Sequence, residues 1–370
     1  MASTVRDIMR LRFDTVAEGD TVLAARTRLI ESGLSALPVR DAQGNLRGTI
    51  SLTDVDRVRS DGRDPAGVTA GEVAASAEAV DAGESLDRAL AQLTDGAGGR
   101  LPVVEGAKLV GTIGRGDIVT YRRALSELGP DAEPMIEEIS EADTQYLRGR
   151  ASYFWNGVAA LRPIRAALAT AGRDSVDSVL DFGSGHGRAL RALKAAYPDA
   201  RLTACDLDRD AVDFCARTFG ATPVYSHEDP AQVRIDDRFD LIWCCSLLTH
   251  VDAPRWPGFL DLFSSLLAPG GVLVFTTHGR RVAADWRAGK LDGLTADLSQ
   301  GLLADYEGSG FGYRDYPGWT DYGLSCSRPS WVCGRVERTA GLGLVGYTEW
   351  GWSRQDTVAC IRTDAVETAA

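Results

Sequence analysis

Hydrophobic and polar positions follow two different patterns along the chain. Up to about residue 120, short apolar runs such as ALPV and LRGTI alternate with amphipathic helical segments such as LAARTRLIESG. From about residue 176, longer and nearly continuous apolar runs take over, among them SVLDFG, RLTACDLD, FDLIWCCSLL and VLVFTTHG. Continuous apolar strands are typical of parallel strands that are buried on both faces. The pattern therefore predicts small α/β units followed by a doubly wound, Rossmann-like sheet.

The first segment contains an internal repeat. The stretches TVRDIM and ALPVRDAQGNLRGTISLTDVDRV are matched by TAGEVA and RLPVVEGAKLVGTIGRGDIVTY, so that Gly48 corresponds to Gly111. A unit of this length is too short to bury both faces of its own sheet. We therefore expect the two copies to pack against each other.

This repeat resembles a tandem pair of cystathionine-beta-synthase (CBS) domains. The family's nucleotide signature places a hydroxyl residue and an aspartate after a glycine, and the first copy matches it in GTISLTD with Ser51 and Asp54. The second copy keeps Asp117 but has Gly114 at the position of the hydroxyl residue. The resemblance implies that the hydroxyl contacts a phosphate and that the carboxylates accept hydrogen bonds from ribose hydroxyls.

Two functions are open for the pair. It either senses an adenosyl ligand or serves only as a scaffold for dimerisation, in which case Asp54 and Asp117 are acidic residues favoured at helix N-termini. An adenosyl ligand without phosphates would not need the hydroxyl that the second copy lacks. We expect the chain to form a homodimer through this pair.

A charged segment with weak periodicity separates the two patterns and predicts a linker. We place the tandem pair at residues 1–124, the linker at 125–150 and a second domain at 151–370. Within the second domain, a Gly- and Tyr-rich insertion at about 280–318 is interpreted as a mobile cap over an acceptor pocket, with a surface loop or an oligomer contact as the alternatives.

The stretch VLDFGSGHGRAL predicts a ligand-binding turn between a strand and a helix. Gly183, Gly185 and Gly187 let the backbone turn sharply and let a ligand approach closely. A dinucleotide fingerprint would need a further glycine where Arg188 stands, which disfavours a nicotinamide cofactor. Asp181 precedes the turn, and its carboxylate favours a cationic ligand over a pyrophosphate. The sulfonium compound S-adenosylmethionine fits this charge better.

Asp206, at the end of the next strand, lies about 20 residues after the turn, where a carboxylate binds ribose hydroxyls. Its neighbour Leu207 is a candidate for packing against the adenine. Before the first strand, ASYFWNG has the aromatic character of a cofactor lid, with Tyr153 and Trp155 as candidates, although aromatic clusters are also typical of a core.

These motifs together resemble a class I S-adenosylmethionine-dependent methyltransferase, over about residues 176–279. The resemblance is carried by DFGSGHGR, ACDLD, SHED, FDLIWCCSLLTHV and LLAPGGVLVFTTHG in this order. It implies a seven-stranded sheet, S-adenosylmethionine as cofactor, and an acidic residue near the adenine amine at Glu228. The cofactor-binding residues that we predict are Asp181, Gly183, Ser184, Gly185, Gly187, Asp206, Leu207, Glu228, Ser246, Tyr153 and Trp155.

Two histidines follow strands at the same predicted sheet edge. Methyl transfer mainly requires that the two reactants are held close and shielded from water, but a hydroxyl acceptor is helped by a general base. His250 in SLLTH is the first candidate because neutral histidine accepts a proton near pH 7, and His278 in TTHG is the second. The alternative for His250 is a hydrogen-bonding anchor of its loop. The SLLTH and TTHG pair resembles methyltransferases that act on small or sugar-linked acceptors.

Two rival functions remain open. The domain either uses S-adenosylmethionine for chemistry other than methyl transfer, or binds an adenosyl ligand without turnover as a sensor or scaffold. The intact glycine turn and Asp206 argue against a decayed site.

Composition adds limits to these hypotheses. The formal net charge of −12 disfavours nucleic acid as the main partner. No apolar run approaches the roughly 20 residues of a membrane span, and the N-terminus does not resemble an export signal, so a cytoplasmic bacterial protein is expected. The four histidines lack ligand spacing, so no metal site is predicted.

The C-terminal segments YGLSCSRPSWVCGRV and LGLVGYTEWGWSRQDTVACIR are predicted to form an antiparallel sheet edge. The Gln355–Asp356 pair within them recurs in the methyltransferase subgroup that this chain resembles. The sequence indicates no physical role for it.

Overall fold

The computed structural model describes residues 4–95, 99–146, 149–290 and 294–363. Two compact units divide the chain, residues 1–124 with 144–155 and residues 125–143 with 156–370. The predicted domain limits at 124 and 150 stay predictions.

The first unit consists of two similar α/β copies. Its elements are α1 (Val5–Ile8), β1 (Val16–Ala17), α2 (Val22–Ser32), β2 (Ala36–Arg40), β3 (Leu46–Ser51), α3 (Leu52–Ser60), α4 (Ala70–Val73), β4 (Val80–Asp81), α5 (Leu86–Asp95), β5 (Arg100–Glu105), β6 (Lys108–Gly114) and α6 (Arg115–Leu128). Each copy has a three-stranded sheet, β1-β2-β3 or β4-β5-β6, with one parallel and one antiparallel pairing.

The two copies complete each other's sheets. Arg10, which follows α1 of the first copy, pairs with Thr112 in β6, and Ala75, which follows α4 of the second copy, pairs with Thr49 in β3. The backbone of Leu46 also donates a hydrogen bond to Ala107. Because each sheet edge is covered by chain from the other repeat, the predicted packing of the two copies is observed.

The second unit is a larger α/β domain, and of α6 and α7 only the last residues belong to it. The chain continues with α7 (Arg150–Val158), α8 (Leu161–Thr170), β7 (Ser178–Phe182), α9 (Leu190–Ala196), β8 (Arg201–Asp206), α10 (Arg209–Phe219), β9 (Thr222–Tyr225), β10 (Phe239–Cys244), α11 (Trp256–Leu266), β11 (Leu267–Thr277), α12 (Arg280–Arg287), α13 (Ala296–Ser309), β12 (Phe311–Asp315), β13 (Gly323–Ser327), α14 (Pro329–Glu337), β14 (Leu342–Trp352) and β15 (Gln355–Arg362).

Seven strands form one sheet in the order β14-β15-β11-β10-β7-β8-β9. The five strands from β7 to β11 are parallel, and β15 runs antiparallel between β11 and β14. All residues of β7 and β10 are buried, as their continuous apolar character predicts. The fold class, a CBS pair followed by a Rossmann-like doubly wound sheet of seven strands, is confirmed.

The C-terminal prediction was right for one segment and wrong for the other. β14 and β15 form the antiparallel edge, but Gly323–Ser327 instead pairs with β12 in a separate two-stranded sheet, and the following residues form α14. The wrong prediction has a local cause, because Pro329 at the start of α14 favours a helix N-terminus over a strand.

The region predicted as a cap contains α12, α13 and β12, and β13 packs with them. Helices α12 and α13 and the β12–β13 hairpin enclose a small apolar core around Trp286, Leu302 and Cys326. Its sheet ends at Ser327, beyond the predicted limit near residue 318.

Candidate active site

The glycine turn connects β7 to α9 and is tied to the neighbouring strand. The backbone N–H groups of Gly183 and Ser184 donate to the carbonyl of Cys205, at 2.8 and 3.2 Å. Gly187 has a φ of 74°, and a Cβ there would lie 2.4 Å from the ring of Phe219. Gly185 has no atom within 4 Å of the corresponding position. The turn is therefore packed at its end and open in its middle.

Asp206 holds the middle of this turn. One carboxylate oxygen accepts from the N–H of Gly185 at 2.7 Å, and the other accepts from the N–H of Asp208 at 3.0 Å. Each oxygen has two lone pairs, so both retain capacity for a ligand hydroxyl. The two residues predicted to lie near the adenine are both exposed. Leu207 has 57% of its surface exposed, and Glu228 lies on the loop after β9.

Asp181, at the end of β7, is a buried carboxylate without a hydrogen-bond partner. Only 1% of the residue is exposed, and neither oxygen is bonded. Burial and the nearby charge of Asp206 raise its pKa to about 7, and Arg188 and the nearby backbone N–H of Leu190 offset only part of this shift. A buried polar group that lacks a partner is costly, which makes it a candidate for binding a ligand.

Ser246, just after β10, takes a left-handed backbone conformation with a φ of 56°. A ring of hydrogen bonds holds it there: its N–H donates to Thr276 Oγ1 at 2.8 Å, its hydroxyl accepts from Gln355 Nε2 at 2.7 Å, and Thr276 donates to Gln355 Oε1 at 2.5 Å. Such strain persists only where the surroundings enforce it. Gln355 is thus a positioning residue that sequence reasoning missed.

Asp356, the second residue of that pair, supports the adjacent strand. It accepts from the hydroxyl of Tyr347 at 2.8 Å and from the N–H of Trp350 at 3.0 Å. Trp350 has a φ of 55°, so Asp356 stabilises a second left-handed position next to the site. The only sequence signal for these roles was the Gln–Asp pair itself.

We expect Gln355→Leu to lower the free energy of unfolding by about 1–3 kcal/mol, because Ser246 and Thr276 lose their common partner. Urea unfolding monitored by fluorescence measures the change. Gln232→Leu removes an exposed glutamine amide that bonds only Asp229 at 3.2 Å and serves as the matched control. Equal changes in both variants would contradict the role of the ring.

The two candidate histidines are fixed by the same strand of the cap. His250 Nδ1 lies 2.7 Å from the carbonyl of Gly323, and His278 Nδ1 lies 3.0 Å from the carbonyl of Ser325. A carbonyl only accepts, so both rings carry their proton on Nδ1 and leave Nε2 as the acceptor. Burial lowers the pKa of His250, and burial together with His250 lowers that of His278 to about 4. Both rings are therefore neutral at pH 7.

Two tyrosines of the β12–β13 connection pack on His250. The ring centroids of Tyr316 and Tyr322 lie 6.0 and 5.2 Å from that of His250. Burial and the negative charge of Asp206 raise the pKa of Tyr322. Trp319 lies on this connection with 63% of its surface exposed. Aromatic side chains of this connection therefore pack on His250.

Tyr153 and Trp155, the candidates for an aromatic lid, contact residues of the N-terminal unit. Tyr153 is buried and packs edge-on against Tyr146 and Phe154, each at 5.9 Å between centroids. The guanidinium of Arg123 lies 4.5 Å from the ring centroid of Trp155. All these residues belong to the N-terminal unit. The contacts favour the alternative core role, and the role as a cofactor lid stays a prediction.

The aspartates of the CBS signature both lie in the first turn of a helix. In the first copy, Asp54 accepts from the N–H and hydroxyl of Ser51 at 2.9 and 2.7 Å. In the second copy, Asp117 accepts from the N–H of Gly114 at 2.9 Å. Both positions suit helix capping.

Other kinds of site receive no support within the described ranges. Among those residues, no group of three or more His, Cys, Asp and Glu side chains is placed to hold a metal ion. No described helix combines the length and apolar character needed to cross a bilayer.

Comparisons with known proteins identify both parts of the chain. A methyltransferase domain family matches residues 180–273, and the CBS domain family matches residues 5–61 and 71–124. Hypoxic response protein 1 of Mycobacterium tuberculosis is 35% identical over 123 residues, which cover 32% of this chain and 85% of that protein.

Solved structures resemble each part separately. The crystal structure of hypoxic response protein I with two coordinated zinc ions is 33% identical, with a TM-score of 0.30. The match covers 32% of this chain and 97% of the chain in that structure. An S-adenosylmethionine-dependent methyltransferase from Clostridium acetobutylicum is 16% identical, with a TM-score of 0.37. The match covers 55% of this chain and 89% of that methyltransferase. The matches to the two domain families and to hypoxic response protein 1 confirm the families that the motifs predicted: the chain belongs to the CBS-domain proteins, with a methyltransferase domain following its CBS pair.

Proposed function

We propose that the protein is an S-adenosylmethionine-dependent methyltransferase that methylates an oxygen or nitrogen of a small-molecule acceptor. The observation that carries the proposal is the bare, buried carboxylate of Asp181 beside an open glycine turn. This turn and both histidines follow strands that end at one edge of the sheet, where α/β domains bind ligands.

The residues present fit this cofactor. S-adenosylmethionine supplies an electrophilic methyl group on a positively charged sulfur. Asp181 offers a buried carboxylate whose ionised form a positively charged sulfur would favour, and Asp206 offers acceptor capacity for ribose hydroxyls. Gly185 leaves room for close approach, while Leu207 and Glu228 are exposed and free to meet the adenine.

His250 is the proposed general base. Its Nδ1–H bond to Gly323 fixes the ring, so that Nε2 is the atom that takes a proton from an acceptor hydroxyl or amine. The lowered pKa keeps this nitrogen unprotonated at neutral pH. Tyr316, Tyr322 and the cap shield the ring from water, which strengthens its electrostatic interactions.

The exposed aromatic residues of the cap fit a small or sugar-linked acceptor. Trp319 and Tyr322 lie edge to face, at 5.5 Å between centroids, on the same connection that contacts His250. Such rings offer a flat apolar surface to a ring-shaped acceptor. The CBS pair is proposed to form a homodimer and to bind an adenosyl ligand.

Asp206→Ala is expected to weaken the binding of S-adenosylhomocysteine by about 5- to 150-fold. The substitution removes the proposed ribose acceptor and frees the N–H of Gly185, a loss of about 1–3 kcal/mol. Calorimetric titration of the full chain measures the affinity. Asp213→Ala, which removes an exposed carboxylate bonded to Tyr225, is the control and should bind normally. Unchanged affinity in Asp206→Ala would overturn the role of this residue.

The fate of the methyl group distinguishes methyl transfer from the two rival functions, other chemistry with the same cofactor and binding without turnover. Incubation with methyl-labelled S-adenosylmethionine and a small-molecule cell extract should transfer the label to an acceptor. Consumption of the cofactor without label in an acceptor would instead favour non-methyl chemistry, and binding without consumption would favour a sensor.

A further inference from the structure

The two CBS copies differ at three matched positions around their signature aspartates. In the first copy β2 pairs Ala36 with Ser51, and in the second copy β5 pairs Arg100 with Gly114. The bridge between Ala75 and Thr49 likewise corresponds to the bridge between Arg10 and Thr112. The internal repeat thus equates Ala36 with Arg100, Ser51 with Gly114 and Ala75 with Arg10.

In the second copy both arginines bind the signature aspartate. Arg100 Nη2 lies 2.6 Å from Asp117 Oδ2, and Arg10 Nε and Nη2 lie 3.2 and 3.1 Å from Asp117 Oδ1. The N–H of Gly114 also donates to Oδ2. Only 5% of the Asp117 side chain is exposed. Both oxygens are therefore engaged by charged donors in a mostly buried site.

In the first copy the aspartate is not covered in this way. Ser51 occupies Asp54 Oδ2, and Oδ1 meets only Arg57, at 3.4 Å on the same helix. The Arg57 side chain is 66% exposed, so the pair is weak and easily displaced. The two matched positions that hold arginine in the second copy hold alanine here.

We infer that the second copy is closed to adenosyl ligands by its Arg10–Asp117–Arg100 cluster, and that the pair takes one such ligand per chain, at Asp54. Charge-assisted hydrogen bonds are about twice as strong as neutral ones, so ribose hydroxyls do not displace two guanidinium groups from a buried carboxylate. Compared with the first copy, the second copy lacks the hydroxyl at Gly114 and has two additional arginines around its aspartate. We interpret these differences as parts of one change. This inference rests on the adenosyl-ligand role proposed above.

Titration of the full chain with adenosine monophosphate tests the inference by differences between variants. Asp54→Asn should lose one site relative to the unmodified chain. The triple variant Arg10→Ala, Arg100→Ala, Gly114→Ser makes the second copy like the first and should gain one site. Adding Asp117→Asn to the triple variant should remove the gained site.

A reciprocal variant guards against misfolding of the triple variant. Ala36→Arg with Ala75→Arg places the two arginines around Asp54 and should close the first copy, with the loss of one site. Loss of a site in Asp54→Asn without a gain in the triple variant, or retention of the site in the reciprocal variant, would overturn the closure and leave the ligand role standing. No change in site number in any variant would overturn both.

Discussion

Replacement of His250 by asparagine is expected to slow methyl transfer by about 10²–10⁴-fold, the usual contribution of a positioned general base. The effect has a specific physical origin. The Nδ1 proton is committed to the carbonyl of Gly323, so the ring presents Nε2 as its single proton acceptor. Asparagine has no basic nitrogen, while the cofactor-binding residues at the glycine turn are untouched. The affinity for S-adenosylhomocysteine should therefore remain unchanged.

The pH profile distinguishes a base from a structural anchor. Burial lowers the pKa of His250 below its usual 6.5, so the rate of label transfer should rise with pH to a plateau reached before neutrality. This acid limb should disappear in the variant. His278→Asn is the comparison, because His278 has the same bonding pattern and a pKa of about 4. A vanished limb in His278→Asn and an intact one in His250→Asn would assign the base to His278.

Local sequence was sufficient to predict the sheet and the turn because their determinants are contiguous. Continuous apolar runs predict buried parallel strands, and the glycines mark where a strand passes into a helix. The spacing of Asp206 from the turn predicts that they meet, and the structure joins Asp206 to Gly185 by a hydrogen bond of 2.7 Å.

The remaining features of the site depend on contacts between distant segments. The tautomer of His250 is set by Gly323, and the conformation of Ser246 is set by Gln355, more than a hundred residues away. No local periodicity encodes such pairs. The same reason explains the arginine cluster, since Arg10 belongs to the first repeat and binds Asp117 of the second.

Asp181→Asn is expected to stabilise the free protein above neutral pH and to impair its binding of the cofactor. The folded state raises the pKa of Asp181 from 3.8 to about 7. Because the folded state holds this proton more tightly than the unfolded chain, its contribution to stability is present below pH 4 and is lost as pH rises towards 7. The shift corresponds to at most about 4 kcal/mol.

Asparagine does not ionise, so the difference in the free energy of unfolding between the variant and the unmodified protein should grow from pH 5 to pH 8, in favour of the variant. Urea unfolding without ligand at several pH values measures it. Asp240→Asn is the matched control in the same sheet: its carboxylate is bonded to Arg173 at 2.6 Å and to Ser178, so the amide should destabilise the protein at neutral pH. A difference that does not change with pH would mean that Asp181 does not titrate in this range.

The binding measurement completes the test of Asp181. A cationic ligand next to Asp181 would lower its pKa and stabilise the buried carboxylate in its ionised form. Asparagine has no charge with which to bind a sulfonium. At pH 8 the variant should therefore lose more affinity for S-adenosylmethionine than for the uncharged sulfur of S-adenosylhomocysteine. Equal losses for both ligands would show that Asp181 shapes the pocket without recognising the positive charge. A larger loss for S-adenosylmethionine would mean that this carboxylate, which destabilises the fold without ligand, is retained because it recognises the positive charge of the cofactor.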